Sequence, residues 1–413
     1  MRIQRSDLGV TRNEIRPGLR EEVGAILEEV RTGGDEAVLR LTARFDKAEL
    51  APEQLRVDPR ELEASIGLLE PEVLRGLRTA IANVRAVVRA QARDLVTVEL
   101  EQGQRVEIVE VPVRRAAIYV PGGRAPYPST VVMGAVTARA AGVDEIVVCA
   151  PPGPGGRAHP VILAACVLCE VTEVYRMGGA QAIAALAYGT GSVRSVDVIA
   201  GPGNAWVQQA KLQVAFTEVG IDGVAGPSEL AVIAEGPGVD PDAVALDLLA
   251  QAEHGADSPL WLFTPEDRLR EAIVATIERL APERPTAADA VLQVCAAGGD
   301  GALWMVEELA PEHLELVGEV AEKLAPRVRR AGCVFVGAGA GTAFGDYVAG
   351  SNHILPTGGA ARFQSALSAA TFRRRMARVS LPDGAPGRLA PAGAALARAE
   401  GFPVHAESME RRA

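Results

Sequence analysis

Residues 116–149 read AAIYVPGGRAPYPSTVVMGAVTARAAGVDEIVVC, and the order of their parts decides the fold class. Ala116-Ala117-Ile118-Tyr119-Val120 is an apolar run of strand length that stops at Pro121-Gly122-Gly123, where the backbone must turn. An Ala-rich segment of helix length follows near 130–141, and a second buried-strand run, Glu145-Ile146-Val147-Val148-Cys149, closes the stretch. Strand, loop, helix and strand in that order make a parallel βαβ unit.

Outward from this unit the rhythm continues. A helix is expected over roughly 159–169, then the strand Glu173-Val174-Tyr175-Arg176 and the loop Met177-Gly178-Gly179-Ala180. Helix 181–188, strand 196–200 and Gly201-Pro202-Gly203-Asn204 follow. Such alternation, about 25 residues per unit, points to a doubly wound parallel α/β domain. Ligands of such sheets lie at the carboxyl ends of the strands, where these Gly-rich loops fall.

A second α/β stretch covers 230–340: strand Leu230-Ala231-Val232-Ile233-Ala234, helix 241–253, strand 260–263, a helix near 265–280 and strand Cys333-Val334-Phe335-Val336. Before the first unit, residues 19–46 read as helix, with Val23, Ile26, Leu27 and Val30 at helical spacing. Gly33-Gly34 ends its first segment, and a second helix starts at Asp35. Residues 58–95 read as largely helical and charged, and 96–110 as a hairpin turning at Gln102-Gly103-Gln104. The tail from about 368 reads as helical and basic, then Pro- and Ala-rich, with His405 in a short terminal segment.

Composition narrows the function classes. At 413 residues the chain exceeds one ordinary core, and 48% hydrophobic with 23% charged residues suits a compact soluble protein. Aromatics are only 4%, so the core is Ala, Val and Leu, as helices on a parallel sheet require. A net charge of −11 argues against nucleic-acid binding, and Arg373-Arg374-Arg375 is too short a basic run to reverse that. No apolar run reaches membrane-spanning length, and Met1-Arg2-Ile3-Gln4-Arg5-Ser6-Asp7 has no signal-peptide apolar core. Five cysteines do not make a disulfide framework at this length, which leaves the cytoplasm as the expected compartment.

Two motifs invite over-reading. Gly153-Pro154-Gly155-Gly156-Arg157-Ala158 fits the dinucleotide pattern G-x-G-x-x-A, with Glu173 20 residues after the first Gly. Its prolines stiffen a loop that would have to wrap a pyrophosphate, and Pro160 is the better helix start. Cys166-Val167-Leu168-Cys169 is a lone C-x-x-C, read as small residues on a helix inner face, and Cys149 as a buried strand residue.

The chain has five histidines, four of them in polar clusters. Gln251-Ala252-Glu253-His254 places an amide and an imidazole on one face of an expected helix. Glu312-His313 follows Ala310-Pro311 at an expected helix N-terminus. Asp346 stands in a Gly-rich loop leading to Asn352-His353, and Glu400 precedes His405 near the end. Imidazole with carboxylate suits zinc or proton transfer near neutral pH. His159 reads as a surface residue at a helix start.

These segments, taken in order, resemble the histidinol dehydrogenase family over nearly the whole chain. The resemblance rests on Tyr119-Val120-Pro121-Gly122-Gly123, Gly178-Gly179-Ala180-Gln181-Ala182, Gly201-Pro202-Gly203-Asn204, Ala225-Gly226-Pro227-Ser228-Glu229, Gln251-Ala252-Glu253-His254, Pro311-Glu312-His313-Leu314-Glu315-Leu316 and Gly345-Asp346-Tyr347. Trp206 departs from the family's usual Tyr, and Gly255 from its usual Asp.

The resemblance implies oxidation of L-histidinol through L-histidinaldehyde to L-histidine with two NAD. It implies Gln251, His254, Asp346 and His405 as zinc ligands, and Glu312 and His313 as the catalytic pair. Ser228 and Glu400 would bind substrate together with Gln251, His254, His313, Asp346 and His405, while Tyr119, Gln181 and Asn204 would contact NAD. The implied architecture is two Rossmann-like parallel-sheet domains with a helical N-terminal region. Residues 1–118 plus 230–367 would form a discontinuous domain carrying the chemistry, 119–229 an inserted NAD-contacting domain, and 368–413 a helical tail exchanged in a homodimer. A zinc- and NAD-dependent dehydrogenase of another small alcohol, such as a sulfonated diol, a zinc hydrolase and a non-catalytic metal- and nucleotide-binding module are the competing readings.

Overall fold

The computed structural model describes residues 1–5, 16–91, 95–122, 125–224, 226–284 and 290–413. Gly123 and Ala225, each part of a motif above, lie outside the described residues, as do 92–94 of the expected charged helix. The strands are β1 (Arg2–Arg5), β2 (Val96–Glu99), β3 (Arg105–Pro112), β4 (Arg115–Tyr119), β5 (Glu145–Ala150), β6 (Glu173–Arg176) and β7 (Val198–Ala200). They continue with β8 (Gly220–Ile221), β9 (Leu230–Ala234), β10 (Pro259–Phe263), β11 (Val291–Cys295), β12 (His313–Val317), β13 (Cys333–Val336) and β14 (Arg373–Ser380).

Both α/β stretches form parallel sheets. The first is ordered β6-β5-β4-β7-β8 and the second β1-β11-β10-β9-β12-β13. In each, the first strand of the stretch is central and the chain reverses direction across the sheet after the third, the doubly wound pattern. The switch points lie between β4 and β7, and between β9 and β12. Burial follows from this winding: β4 and β9 are buried along their whole lengths, because helices cover both faces.

In the second sheet, alternate residues divide between two cores. Leu230, Val232, Leu260, Leu262 and Val317 pack toward the helices Pro241–Ala252 and Asp267–Leu280. Ala231, Ile233, Leu314 and Leu316 pack toward the helix Gly299–Leu309 on the other side. This period of two puts His313, Glu315 and Val317 on the same side of β12 as the Pro241–Ala252 helix.

The long N-terminal helix, Leu19–Phe45, packs through Leu19, Val23, Leu27, Val38 and Leu41 into the core of the β4–β8 sheet. It bends at Gly34 (φ 55, ψ −137), where the sequence predicts one helix ending and another starting.

The chain forms two compact units, residues 1–90 with 114–372, and 91–113 with 373–413. Both parallel sheets belong to the first. In the second, β14 pairs antiparallel with β3, and β3 with β2. The hairpin, expected with the large discontinuous domain, thus shares a sheet with the tail.

Three local expectations are corrected. Residues 373–380 are strand, not helix: Arg373 to Ser380 pair one-for-one with Pro112 to Arg105, and ladder bonding overrides the helix propensity of the basic run. Glu312-His313 does not open a helix. The helix Gly299–Leu309 ends on Ala310 in the left-handed region (φ 49), and the apolar alternation of Leu314 and Leu316 is satisfied by parallel pairing with β9 and β13. Asp346 is not in a loop but in the last turn of a short helix, Thr342–Tyr347.

The decoys resolve as expected. Pro154–Gly156 is a single 3-10 turn, and Pro160 opens the helix Pro160–Leu168. Exposed His159 caps that helix by accepting the Val161 N–H at Nδ1, 3.2 Å away. Cys149, Cys166 and Cys169 are buried and free, and burial pushes all three thiols well up.

One fully buried ion pair ties the loop after β7 to the end of β8. Lys211 bonds Asp222 and donates to the Gly201 carbonyl at 3.1 Å, while the Gly201 N–H donates to Asp222 Oδ2 at 2.8 Å. Gly201 (φ +129) has no room for a side chain, since a Cβ there would lie 2.1 Å from the Tyr119 carbonyl oxygen. Lys211→Met leaves the Asp222 carboxylate buried without its partner, and should cost about 3 kcal/mol in urea unfolding. A loss below ~1 kcal/mol would show that water reaches Asp222 and that the pair does not anchor this loop.

Candidate active site

Five expected site residues converge at the amino ends of β9 and β12, not at the carboxyl ends where ligands of such sheets usually lie. Ser228 and Glu229 lead into β9; Glu312 and His313 lead into β12, where Pro311 and the left-handed Ala310 have just released the chain from a helix. The Glu312 carboxylate accepts from Ser228 Oγ (2.6 Å) and the Glu229 N–H (2.9 Å), and lies 3.3 Å from His313 Nδ1. Gln251, in the last turn of the Pro241–Ala252 helix, donates its Nε2 to Ser228 Oγ at 2.6 Å. Asp346 Oδ1 stands 3.7 Å from His313 Nε2.

The polarity of these bonds assigns the atoms. Nδ1 of His313 is 3.0 Å from the Glu229 carbonyl oxygen, which can only accept, so Nδ1 carries a proton and Nε2 is the basic atom. Gln251 spends its N–H on Ser228, leaving its amide oxygen for another partner.

Burial alone would lower the basicity of His313, but the neighbouring Glu312, with Asp346 and the Glu229 carbonyl, more than offsets it and lifts the ring to about 9. Burial pushes Glu312 up; His313, Ser228 and the Glu229 N–H together overcome it and hold the carboxyl below its ordinary range. Glu229, also buried, is lifted to about 7 by desolvation and then by the like charge of Glu312. Two carboxyls with opposite shifts flank one imidazole, as in sites that move protons.

His254 follows within a turn closed by its N–H on the Gln251 carbonyl (3.2 Å), just past the helix end, so amide and imidazole stay one tight turn apart. Its ring is exposed. His353 is half-buried; its Nδ1 lies 2.9 Å from the Asp346 carbonyl and its Nε2 3.2 Å from Thr130 Oγ1. Desolvation holds it below the usual histidine range, so it is a neutral ring bracing Asp346.

Tyr119, Gln181 and Asn204 belong to the other sheet. Tyr119 ends β4 and accepts the Gly179 N–H at its hydroxyl (3.1 Å); Gln181 donates to Asp46 (3.2 Å). Asn204 lies beyond β7 and caps the helix Ala205–Val214 through Oδ1. Tyr119 and Asn204 therefore flank the β4–β7 switch point, where a crevice opens in such sheets. Glu400 and His405 lie in the second unit. Glu400 caps the helix Ala385–Ala399, and exposed His405 packs at a tilt against Phe402 in the turn and helix that follow (ring centroids 5.3 Å apart, planes 54° apart).

Among the described residues, no three His, Cys, Asp or Glu side chains stand together as a metal-binding group. The first unit's expected ligands include only one imidazole and one carboxylate, the other donor being the Gln251 amide. That mixed N/O set, with a neutral oxygen left open on Gln251, suits zinc. Sequence reasoning passed over Glu229, Asp46 and the pair Asp247–Glu315; Glu229 closes the Ser228-Glu229 motif and could have been found there.

The histidinol dehydrogenase family model matches residues 11–413. The chain belongs to the histidinol dehydrogenase family. A histidinol dehydrogenase of Cereibacter sphaeroides is 43% identical over 412 residues, covering 98% of this chain and 94% of the relative. Another, from Gluconobacter oxydans, is 42% identical over 399 residues, covering 95% and 92%. The crystal structure of the Elizabethkingia anophelis histidinol dehydrogenase superposes with a TM-score of 0.92 at 31% identity, covering 100% of this chain and 98% of that one. Membership of the histidinol dehydrogenase family makes the protein an oxidoreductase of histidine biosynthesis, and neither a hydrolase nor a dehydrogenase of another alcohol is favoured. Among the described residues no helix is long and apolar enough to cross a membrane.

Proposed function

We propose that the protein oxidises L-histidinol through L-histidinaldehyde to L-histidine, reducing two NAD, in the cytoplasm. The observation that carries this reading is the buried Glu312–His313 pair, 3.3 Å apart, with Ser228, Gln251 and Asp346 fixed around it. Two successive proton removals need a base for the alcohol and a base for water, and the pair offers both.

Gln251, His254 and Asp346 would hold zinc, with His405 of a second copy completing the set in a homodimer exchanged through residues 368–413. Bound there, zinc would orient the amino alcohol and steady negative charge on its oxygen. Ser228 and Glu400 would grip the substrate. Tyr119, Gln181 and Asn204 would hold NAD at the β4–β7 crevice, so that 119–229 serves the cofactor and 230–367 the chemistry.

His313 Nε2 would take the hydroxyl proton, while bound NAD would supply the acceptor for the hydride of the same carbon. Glu312 then accepts a proton from the water that attacks the aldehyde carbon. Having passed its first proton to solvent, His313 would remove a hydroxyl proton of the resulting hydrate, and a second NAD would accept the hydride.

The test is stoichiometric. Purified protein should form two NADH per L-histidinol, lose activity by at least ~100-fold on metal removal by a chelator, and regain it with zinc. NAD-independent turnover, or oxidation of a sulfonated diol but not of L-histidinol, would overturn the assignment.

A further inference from the structure

One turn deeper than the catalytic cluster lies a second layer of polar side chains from the same three elements. On β12, Glu315 follows His313 by two residues on the same side of the strand, about 7 Å further along. On the Thr342–Tyr347 helix, Thr342 precedes Asp346 by four residues, one turn or about 6 Å. On the Pro241–Ala252 helix, Asp247 precedes Gln251 by the same four residues. The upper layer therefore holds Gln251, His313 and Asp346, and the lower one Asp247, Glu315 and Thr342.

The lower layer is closely bonded. Glu315 is 1% exposed, and its Oε1 accepts both the backbone N–H of Thr342 (2.6 Å) and the Thr342 hydroxyl. The carboxyl of Asp247 abuts the same turn, since a Cβ on Gly341 would lie 2.7 Å from Asp247 Oδ1. Glu315 Oε2 is buried without a hydrogen-bond partner among the described residues. A carboxyl in that setting is costly unless it is protonated or faces a proton donor. Burial first, and each other's presence second, bring Glu315 to about 7, and burial brings Asp247 to about 6. The other ionisable group acting on Glu315 is His313, which favours its charged form.

A parallel-sheet core normally fills this position with an aliphatic side chain, as Val317 does one alternation later. Spending two carboxyls on it serves no packing purpose. It does join the strand of His313 to the helices of Asp346 and Gln251. We propose that Glu315, backed by Asp247, is a positioning residue: its bonds to Thr342 set the spacing at which Gln251, His313 and Asp346 meet. The inference rests on the proposed function for what those three side chains do.

The experiment compares the full-length protein with Glu315→Ala, Glu315→Gln and Thr342→Val. Zinc affinity is measured by competition with a chromogenic chelator, and kcat and KM with L-histidinol. Glu315→Ala and Thr342→Val should weaken zinc ~10- to 100-fold, as loss of a supporting hydrogen bond does, and lower kcat more than they raise KM. Glu315→Gln keeps an acceptor for Thr342 and offers an N–H at the Oε2 position, so it should hold zinc within about 3-fold of the parent. If Glu315→Ala does not fold, Thr342→Val and Glu315→Gln decide the matter. Parent-like zinc affinity in Thr342→Val and in any folded Glu315→Ala, whatever the change in melting temperature, would overturn the positioning role. A parent that neither binds zinc nor forms NADH would sink the functional reading before any variant is compared, and this role with it.

Discussion

His313→Asn should lower kcat for L-histidinol by about 10³- to 10⁴-fold while leaving zinc bound and the fold intact. The side-chain amide of asparagine can still donate to the Glu229 carbonyl, the bond that Nδ1 makes at 3.0 Å. What it lacks is a basic atom in the place of Nε2. The alcohol proton is held far more tightly than water can accept it, so the site depends on a base strengthened by its surroundings, and that base is free to accept only as the pH rises toward 9. Glu312 at 3.3 Å supplies that strength, raising the imidazole to about 9 against its burial. Metal content by atomic absorption and turnover by NADH absorbance give the two readouts. Loss of zinc together with activity would mean that His313 is a ligand rather than a base. Unchanged turnover would leave the first proton removal to another group.

The same residue shows how far the sequence could be read. The alternation of β4 through β7, and of β9, β10 and β13, was legible because buried parallel strands are short apolar runs bounded by glycine and proline. β12 was not. His313-Leu314-Glu315-Leu316-Val317 has its apolar residues on one face and mostly ionisable ones on the other, and Pro311 before it imitates a helix start. Read as a strand, the period of two would have put His313 and Glu315 on one side and exposed the lower polar layer. β14 was hidden for a different reason, since three consecutive arginines have helix propensity and only the partner strand 263 positions away in sequence (Arg373 to Glu110) makes them extended. Non-local pairing leaves no local trace. The ligand set had the same difficulty: a lone amide at Gln251 has no spacing that announces a metal, and only the family resemblance singled it out.

Glu312→Gln separates the two oxidations. The glutamine oxygen can still accept from Ser228 Oγ and the Glu229 N–H, so the bonds that hold this turn at 2.6 and 2.9 Å need not break. Two things change. The negative charge beside His313 disappears, so the imidazole becomes a weaker base, and above pH 9, where the parent ring is unprotonated, the alcohol step should slow by about 10-fold. The group that deprotonates water is lost outright, and the aldehyde step should slow by about 10²- to 10³-fold. Supplied with L-histidinol, the variant should approach one NADH per substrate in the early phase and release or retain aldehyde. Supplied with L-histidinaldehyde, it should turn over far more slowly than the parent. Equal slowing of both steps would mean that Glu312 acts only by raising the basicity of His313. Its neighbours in space limit the alternatives: Glu229, lifted to about 7 by burial and by Glu312 itself, is bonded through both carboxylate oxygens to the Glu312 and Gly358 N–H groups. It is therefore held away from the substrate as a structural acceptor, and cannot take over the water in the variant.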